Sequence, residues 1–337
     1  MKTKRMGRTG LKVSEICLGT MTFGRQCDEA MSFSIMDAAV EAGVDFFDTA
    51  DVYPVGGTIE TVGRTEEIIG NWLKTRGKRE QIVLATKCWG AMGRQPNDQG
   101  LSRKHICAAI DASLRRLQTD YVDLYQVHAP DPSTPLDETL GALDSLVKQG
   151  KVRYLGCSNF QAWLLASTLW TSDKLGLARF DCVQPRYNIL FREIENELLP
   201  LCRHYGVGVI PYNPLGGGFL TGKYTLGAEP SANLRFGLEG RAGRIYRQRY
   251  WQDEQFGAVK HLQDFFSARG KSLTQVAIAW VLAQPTITSP IVGATSPEQL
   301  KQSLPAVDLV LDEEETNACN EVWFNLPRLS DPSVALR

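Results

Sequence analysis

The stretch "VDFFDTADVYP", residues 44–54, gathers Val44, Phe46 and Phe47 into a short apolar run and sets Asp48, Asp51 and Tyr53 directly behind it. A run of this kind reads as a buried strand, and the polar groups behind it as side chains carried to the strand's end. The pattern recurs in "EICLGTM" near 15, "IVLATK" at 82, "YVDLYQVH" at 121, "VRYLGCSN" at 152, "FDCVQPRY" at 180, "GVGVIPYN" at 206 and "ITSPIVGA" at 287, eight strands in all. Helical stripes separate them. In "LSRKHICAAIDASLRRLQ" residues Ile106, Ile110, Ser113, Leu114 and Leu117 fall on one face, with Ser102 as the N-cap. In "STPLDETLGALDSLVKQG" Thr134 is the expected cap, Pro135 the first helical residue, Leu136, Leu140, Leu143 and Val147 the apolar face, and Gly150 the stop.

Eight buried strands, each followed by a helix, call for parallel pairing, either in a doubly wound open sheet or in a (β/α)8 TIM barrel. The strand count favours the barrel. A long Gly-rich excursion after residue 213 delays the eighth strand to about 287, so a long loop insertion between strands 7 and 8 is expected over the barrel mouth. No linker or composition shift divides residues 1–337, so the reading is a single domain.

Composition excludes several classes. Lys and Arg number 37 against 38 Asp and Glu, with no basic run long enough to follow a phosphate backbone, so nucleic acid is not an expected partner. No window of about 18 apolar residues occurs, so no membrane association is expected. The eight cysteines are scattered without a CxxC pair, and the four histidines show no HxH or HExxH spacing. Reduced core thiols, a cytoplasmic location and no metal are the expectations; the oligomeric state is left open.

Asp48 closes the second strand, Lys87 the third and His128 the fourth, with Tyr53 on the adjoining loop. In a barrel those ends surround one mouth. Each residue alone has an ordinary explanation, as a helix cap, a solvated strand end or a hydrogen-bonded structural group. Four complementary groups at neighbouring strand ends argue instead for a shared site. An ammonium beside a phenol stabilises the phenolate and eases proton release, the carboxylate compensates the ammonium, and the imidazole donates to an acceptor oxygen. The set suits protonation of an oxygen that is becoming an alkoxide.

"FFDTADVYP", "ATK", "YQVHAP", "GCSNF", "VQPRYN", "PYNPLGGGFLTGKY" and "IVGATSPEQL" occur in order, and together with "RMGRTGLKVSEICLGTMTFG" they resemble the aldo-keto reductases. The resemblance implies a (β/α)8 barrel that reduces aldehydes or ketones with a nicotinamide coenzyme, the reverse oxidation of alcohols or sugars being open to the same site. It places the catalytic tetrad on Asp48, Tyr53, Lys87 and His128, with Tyr53 as proton donor. It places the nicotinamide amide on Ser158, Asn159 and Gln184, and a stacking ring at Tyr212. A pyrophosphate-crossing segment falls on Asn213, Pro214, Leu215, Gly216, Gly217 and Lys223, with Arg235 as a second positive contact. Gly19, Thr20 and Met21 match the turn beneath the coenzyme, and Gly293, Thr295, Gln299, Gln302 and Ser303 the adenosine end.

"GGFLTGKY" approaches a phosphate-loop motif, but Tyr224 stands where the magnesium-binding hydroxyl is required, and no GxGxxG occurs. At the adenosine end, family members that use the phosphorylated coenzyme often carry a Lys or Arg, where this chain has Thr295, Ser296 and Gln299, and Gln302 and Ser303 replace the usual Glu and Asn. Arg235 or Lys301 is the expected compensation, making NADPH the expected coenzyme and NADH the alternative. Phe23, Trp89 and Trp251, with Tyr53, are expected to line an apolar mouth suited to hydrophobic carbonyl compounds. The competing readings are a coenzyme-binding regulatory subunit of the same type with little turnover, and a metal-dependent barrel hydrolase, which the histidine spacing disfavours.

Overall fold

The computed structural model describes residues 1–232 and 234–328. Eight parallel strands follow one another around a (β/α)8 barrel: β1 (Cys17–Gly19), β2 (Phe46–Asp48), β3 (Val83–Cys88), β4 (Val122–Val127), β5 (Val152–Ser158), β6 (Phe180–Gln184), β7 (Gly208–Val209) and β8 (Ile291–Gly293). Hydrogen-bonded neighbours run β8-β1-β2 and onward to β7. A parallel bridge between Val209 and Ile287, and the Ile291 N–H donating to the Pro211 carbonyl at 2.9 Å, carry the pairing on from β7 to the segment of β8.

The strands alternate between two cores, as the period of two requires. Cys17, Phe46, Ala85, Leu124, Cys182, Ile210 and Ile291 pack together inside the barrel, while Leu18, Phe47, Leu84, Tyr125 and Val183 pack outward against the helices. That parity orients the site. Two residues beyond an inward residue, the next inward position falls on Asp48, Lys87, Gln126 and Gln184, and one further step along β4 reaches His128. A hairpin absent from the sequence reading, Thr3–Arg5 paired antiparallel with Lys12–Ser14, brings Met6 and Val13 into the inner core and closes the far end.

The helix caps show how local sequence sets the boundaries. Ser102 accepts from the His105 N–H as expected, and Gly206 ends its helix in the left-handed region at φ 64°. Thr134 does not cap. The helix runs Leu136–Lys148 with Pro135 at the cap position, and the Thr134 hydroxyl donates instead to Asp131 Oδ2 at 2.8 Å. The excursion before β8 corrects the expected loop. It contains 3₁₀ turns at Gly216–Thr221 and Arg235–Gly237 and helices at Gly240–Tyr250, Asp253–Ser267 and Leu273–Leu282. Among the described residues no helix is long and apolar enough to cross a membrane, and no group of His, Cys, Asp or Glu is placed to hold a metal ion. All eight cysteines are free thiols, and Cys107 alone is more than slightly exposed.

Candidate active site

Lys87 is wholly buried, and its ammonium donates to Asp48 Oδ2 at 2.5 Å and to the Thr49 carbonyl at 2.8 Å. Burial pulls the Lys87 pKa down, but the adjacent Asp48 and Tyr53 outweigh it and hold the group above its ordinary value, so it stays an ammonium. The other Asp48 oxygen accepts from Gln184 Nε2 at 2.9 Å and from Gln126 Nε2 at 3.0 Å, and Gln184 Nε2 also reaches Gln126 Oε1 at 3.0 Å. A buried ion pair is stable only when its remaining hydrogen-bonding capacity is filled, and the two glutamines fill it. Gln126 is not among the site residues expected from the sequence.

The Lys87 ammonium lies 5.0 Å from the Tyr53 ring centroid, and the Tyr53 and His128 rings meet edge to face with centroids 5.8 Å apart. All four tetrad residues therefore converge. The sign on Tyr53 differs from expectation: burial raises its pKa, Lys87 opposes this, and burial wins. Tyr53 thus holds its proton firmly at neutral pH. Burial and then the Lys87 charge push the His128 pKa down to about 3, so the imidazole is neutral.

Three residues beyond Asp48, Asp51 has the opposite fate. It is fully buried, and neither carboxyl oxygen has a hydrogen-bond partner among the described residues. Burial, and then the nearby Glu66, raise its pKa well above the usual carboxylate range, so it is a neutral acid. Glu66 keeps its own partners, accepting from the Thr86 hydroxyl at 2.5 Å and from Arg116 Nε at 2.8 Å.

The tetrad opens into a cavity of about 1360 Å³, larger than the roughly 300–1,000 Å³ of a drug-sized site. Its wall includes Gly19, Thr20, Met21, Asp48, Tyr53, His128, Ser158, Asn159, Gln184, Tyr212, Asn213, Pro214, Leu215, Gly217, Lys223, Arg235, Gly293, Thr295, Gln299, Gln302 and Ser303. Lys87 and Gly216 stand one layer behind it. Phe23 does not belong to the wall: it is wholly buried in the outer core, where its carbonyl accepts from the Thr65 hydroxyl at 2.7 Å. Trp89 also lies outside the wall and packs against the core, and Trp251 joins Phe219, Tyr224, Phe236 and Phe256 in an aromatic cluster.

The polar groups at the ends of β5 and β6 are linked to their neighbours. Asn159 Nδ2 donates to the His128 carbonyl at 2.9 Å, and Asn159 Oδ1 accepts from the Tyr212 hydroxyl at 2.8 Å. The Ser158 hydroxyl donates to the Gln184 carbonyl at 2.9 Å. Asn213 Nδ2 lines the cavity buried and without a partner among the described residues, a donor left for a bound molecule. Gly217 has φ 71°, and a Cβ there would lie 2.7 Å from the Tyr246 ring, so backbone and ring approach as only glycine permits. Arg235 Nη1 reaches Met21 Sδ at 3.1 Å and the Tyr246 hydroxyl at 3.0 Å, bridging the excursion to the β1 turn. Burial, and then the neighbouring Arg235, lower the pKa of Lys223. Large volume, unpartnered amide, glycine turn and paired cations fit a dinucleotide coenzyme.

At the expected adenosine end, Thr295 N–H and hydroxyl both donate to Gln299 Oε1, at 3.0 and 2.8 Å. Of the two expected compensating cations, Arg235 lines the cavity and Lys301 is exposed and off the wall.

Comparison with known proteins follows the same line. Residues 15–323 match the Aldo/keto reductase family. The chain is 40% identical over 329 residues to a protein of Bacillus subtilis (strain 168) named uncharacterized oxidoreductase YrpG, covering 96% of each. It is 40% identical over 314 residues to a probable voltage-gated potassium channel subunit beta of Arabidopsis thaliana, covering 92% of each. It is 38% identical over 348 residues to Protein tas of Escherichia coli (strain K12), covering 96% of this chain and 99% of the relative.

Proposed function

The chain belongs to the aldo/keto reductase family of oxidoreductases, and on that premise we propose that it reduces aldehydes or ketones to alcohols, with Tyr53 as the general acid. The observation that carries the proposal is the Lys87 ammonium held between the Asp48 carboxylate and the Tyr53 ring, with His128 against the same ring at the cavity wall. A reduced nicotinamide bound in the cavity would supply the hydride. As the carbonyl oxygen gains charge, the Tyr53 hydroxyl donates its proton to it, and Lys87 stabilises the phenolate left behind. The neutral His128 donates its ring N–H to the same oxygen, which fixes the substrate's orientation. Such general-acid assistance is worth about 10² to 10⁴ in rate. The raised Tyr53 pKa suits the role, because the proton leaves only for the stronger base that the developing alkoxide becomes.

The residues proposed to hold the coenzyme are Ser158, Asn159 and Gln184 at the nicotinamide, Tyr212 stacking on it, Asn213 to Gly217 with Lys223 and Arg235 at the diphosphate, and Thr295, Gln299, Gln302 and Ser303 at the adenosine. NADPH is the proposed form. NADH is the second reading, favoured by the absence of any Lys or Arg from the described wall at residues 293–303. The family match over residues 15–323 supports treating the chain as one domain, and the free, mostly buried thiols support a cytoplasmic location.

A regulatory role is the alternative function, favoured by relatives named as potassium channel beta subunits in two plants and a yeast. One assay separates the two. The protein is mixed with NADPH or NADH and a panel of aldehydes, and loss of the reduced coenzyme is followed. Turnover with at least one aldehyde is expected; tight coenzyme binding with no turnover of any would replace the reductase reading by the regulatory one.

A further inference from the structure

Helix Gly240–Tyr250, "GRAGRIYRQRY", contributes Arg241, Ala242, Ile245, Tyr246 and Arg249 to the cavity wall. Its two tyrosines, Tyr246 and Tyr250, stand four residues apart on one face, and both are buried. Their rings back the glycine turn of the limb proposed to cross the coenzyme's diphosphate. A Cβ at Gly217 would lie 2.7 Å from the Tyr246 ring, and one at Gly216 3.5 Å from the Tyr250 ring. Their hydroxyls converge on a single residue of that limb, Asn213.

Asn213 has φ 59°, in the left-handed region that Gly, Asn and Asp visit most readily, and such a backbone persists only where its surroundings hold it. A parallel bridge between Arg186 and Tyr212 extends the pairing of β6 and β7 past the strands and brings Asn188 to the same place. Asn188 is wholly buried. Its Nδ2 donates to the Asn213 carbonyl and to the Tyr250 hydroxyl, both at 2.9 Å, and its Oδ1 accepts from the Leu190 N–H at 3.0 Å. A backbone N–H only donates, so the Leu190 contact fixes which end of the amide is oxygen, and the two hydrogens of Nδ2 are engaged by Asn213 and Tyr250.

The same logic of donors sets the Asn213 side chain. Arg235 Nη1 donates to the Tyr246 hydroxyl at 3.0 Å, and a guanidinium accepts nothing in return, so the hydroxyl proton goes on to Asn213 Oδ1 at 3.2 Å. The oxygen of the Asn213 amide is thereby held against Tyr246. Its Nδ2 is left buried on the cavity wall with no partner among the described residues, a costly state that an acceptor oxygen on a bound molecule would relieve. We propose that Tyr246 is a positioning residue for the coenzyme: its hydroxyl orients the Asn213 amide so that Nδ2 donates to an oxygen of the diphosphate, with Asn188 and Tyr250 fixing the backbone behind it. The inference rests on the reading of the cavity as a coenzyme site, and adds to that site a residue that acts through another.

The test is a double-mutant cycle on the full-length protein, read as the Kd of NADPH and of NADH by fluorescence titration. Tyr246→Phe keeps the ring against Gly217 and removes the hydroxyl. Asn213→Gly removes the amide and still accepts a positive φ. Each variant alone is expected to raise the Kd of the better-bound coenzyme about tenfold, as the loss of one hydrogen bond to a charged group allows. The two together should also cost about tenfold rather than about a hundredfold, because the hydroxyl acts through the amide. A hydroxyl that served only the fold would weaken binding equally in both backgrounds. An unchanged Kd in Tyr246→Phe therefore overturns the proposal, as does a loss that persists undiminished in the Asn213→Gly background, which would assign the hydroxyl to Arg235 or to the packing of the helix. Failure of the unaltered protein to bind either coenzyme is a separate result: it overturns the coenzyme reading, and this proposal with it.

Discussion

Asp48, Lys87, Gln126 and Gln184 form a cavity floor in which no residue is more than 3% exposed and every side-chain hydrogen bond among the four is 3.0 Å or shorter. Across the cavity, Arg25 and Arg241 are exposed and Arg249 is half-buried. The floor comes from strand ends fixed by barrel pairing; the roof comes from a helix and loops attached to it. Groups that must hold one geometry sit on the rigid part, and groups that choose among ligands sit on the adjustable one. The contrast teaches that a substitution on the floor should cost turnover and stability together, and one on the roof should change affinity alone.

The largest expected effect is at Lys87. Lys87→Met leaves the Asp48 carboxylate buried without its ion partner, which typically costs about 3–5 kcal/mol, and removes the charge that stabilises the phenolate. Turnover should fall by roughly 10³ with a clear drop in Tm; loss of turnover with Tm unchanged would break the coupling claimed for the floor. Next comes Gln126→Leu, which takes one donor from Asp48 and the acceptor from Gln184. A loss of about tenfold in kcat/KM is expected, read by steady-state kinetics.

On the roof, Arg235→Ala should raise the coenzyme Kd by about tenfold, an effect that fades with salt, with kcat nearly kept. Fluorescence titration at two ionic strengths decides it, and a collapse of kcat instead would move Arg235 to the floor. Asp51 offers a finer test, because a neutral acid is mimicked by an amide. Its folded pKa lies above the unfolded one, so the unfolded chain releases the proton first and Asp51 lowers stability as pH rises above the ordinary carboxylate pKa. Asp51→Asn should therefore raise Tm at pH 7, with the gain shrinking toward pH 4. The smallest effect is no effect: with His128 near 3 and Tyr53 above its usual value, reductive kcat should stay flat between roughly pH 5 and 9.

The floor was legible in the sequence because each polar residue closes an apolar run in which inward and outward positions alternate. Phe46 to Asp48 and Ala85 to Lys87 keep one parity, so finding the strand finds the side chain's direction. Gln126 has that parity too, two residues after Leu124, but it lies inside "YVDLYQVH" rather than at its end, where nothing in the run marks it. The roof was less legible. Consecutive glycines at 216–218 announce a loop, which hides the helix that follows, and the Arg235 contact with Met21 joins residues 214 positions apart. Phe23 follows the β1 turn, where no strand parity is left to say which way a side chain points.

The measurement closest to the centre of the account is a comparison of Tyr53→Phe with the unaltered protein, reading coenzyme affinity and single-turnover carbonyl reduction on the same samples. Affinity should be retained while the reduction rate falls about 10² to 10⁴-fold. A rate within twofold of the unaltered protein would show that the proton comes from elsewhere, and that the convergence of Asp48, Lys87, His128 and Tyr53 serves some other end.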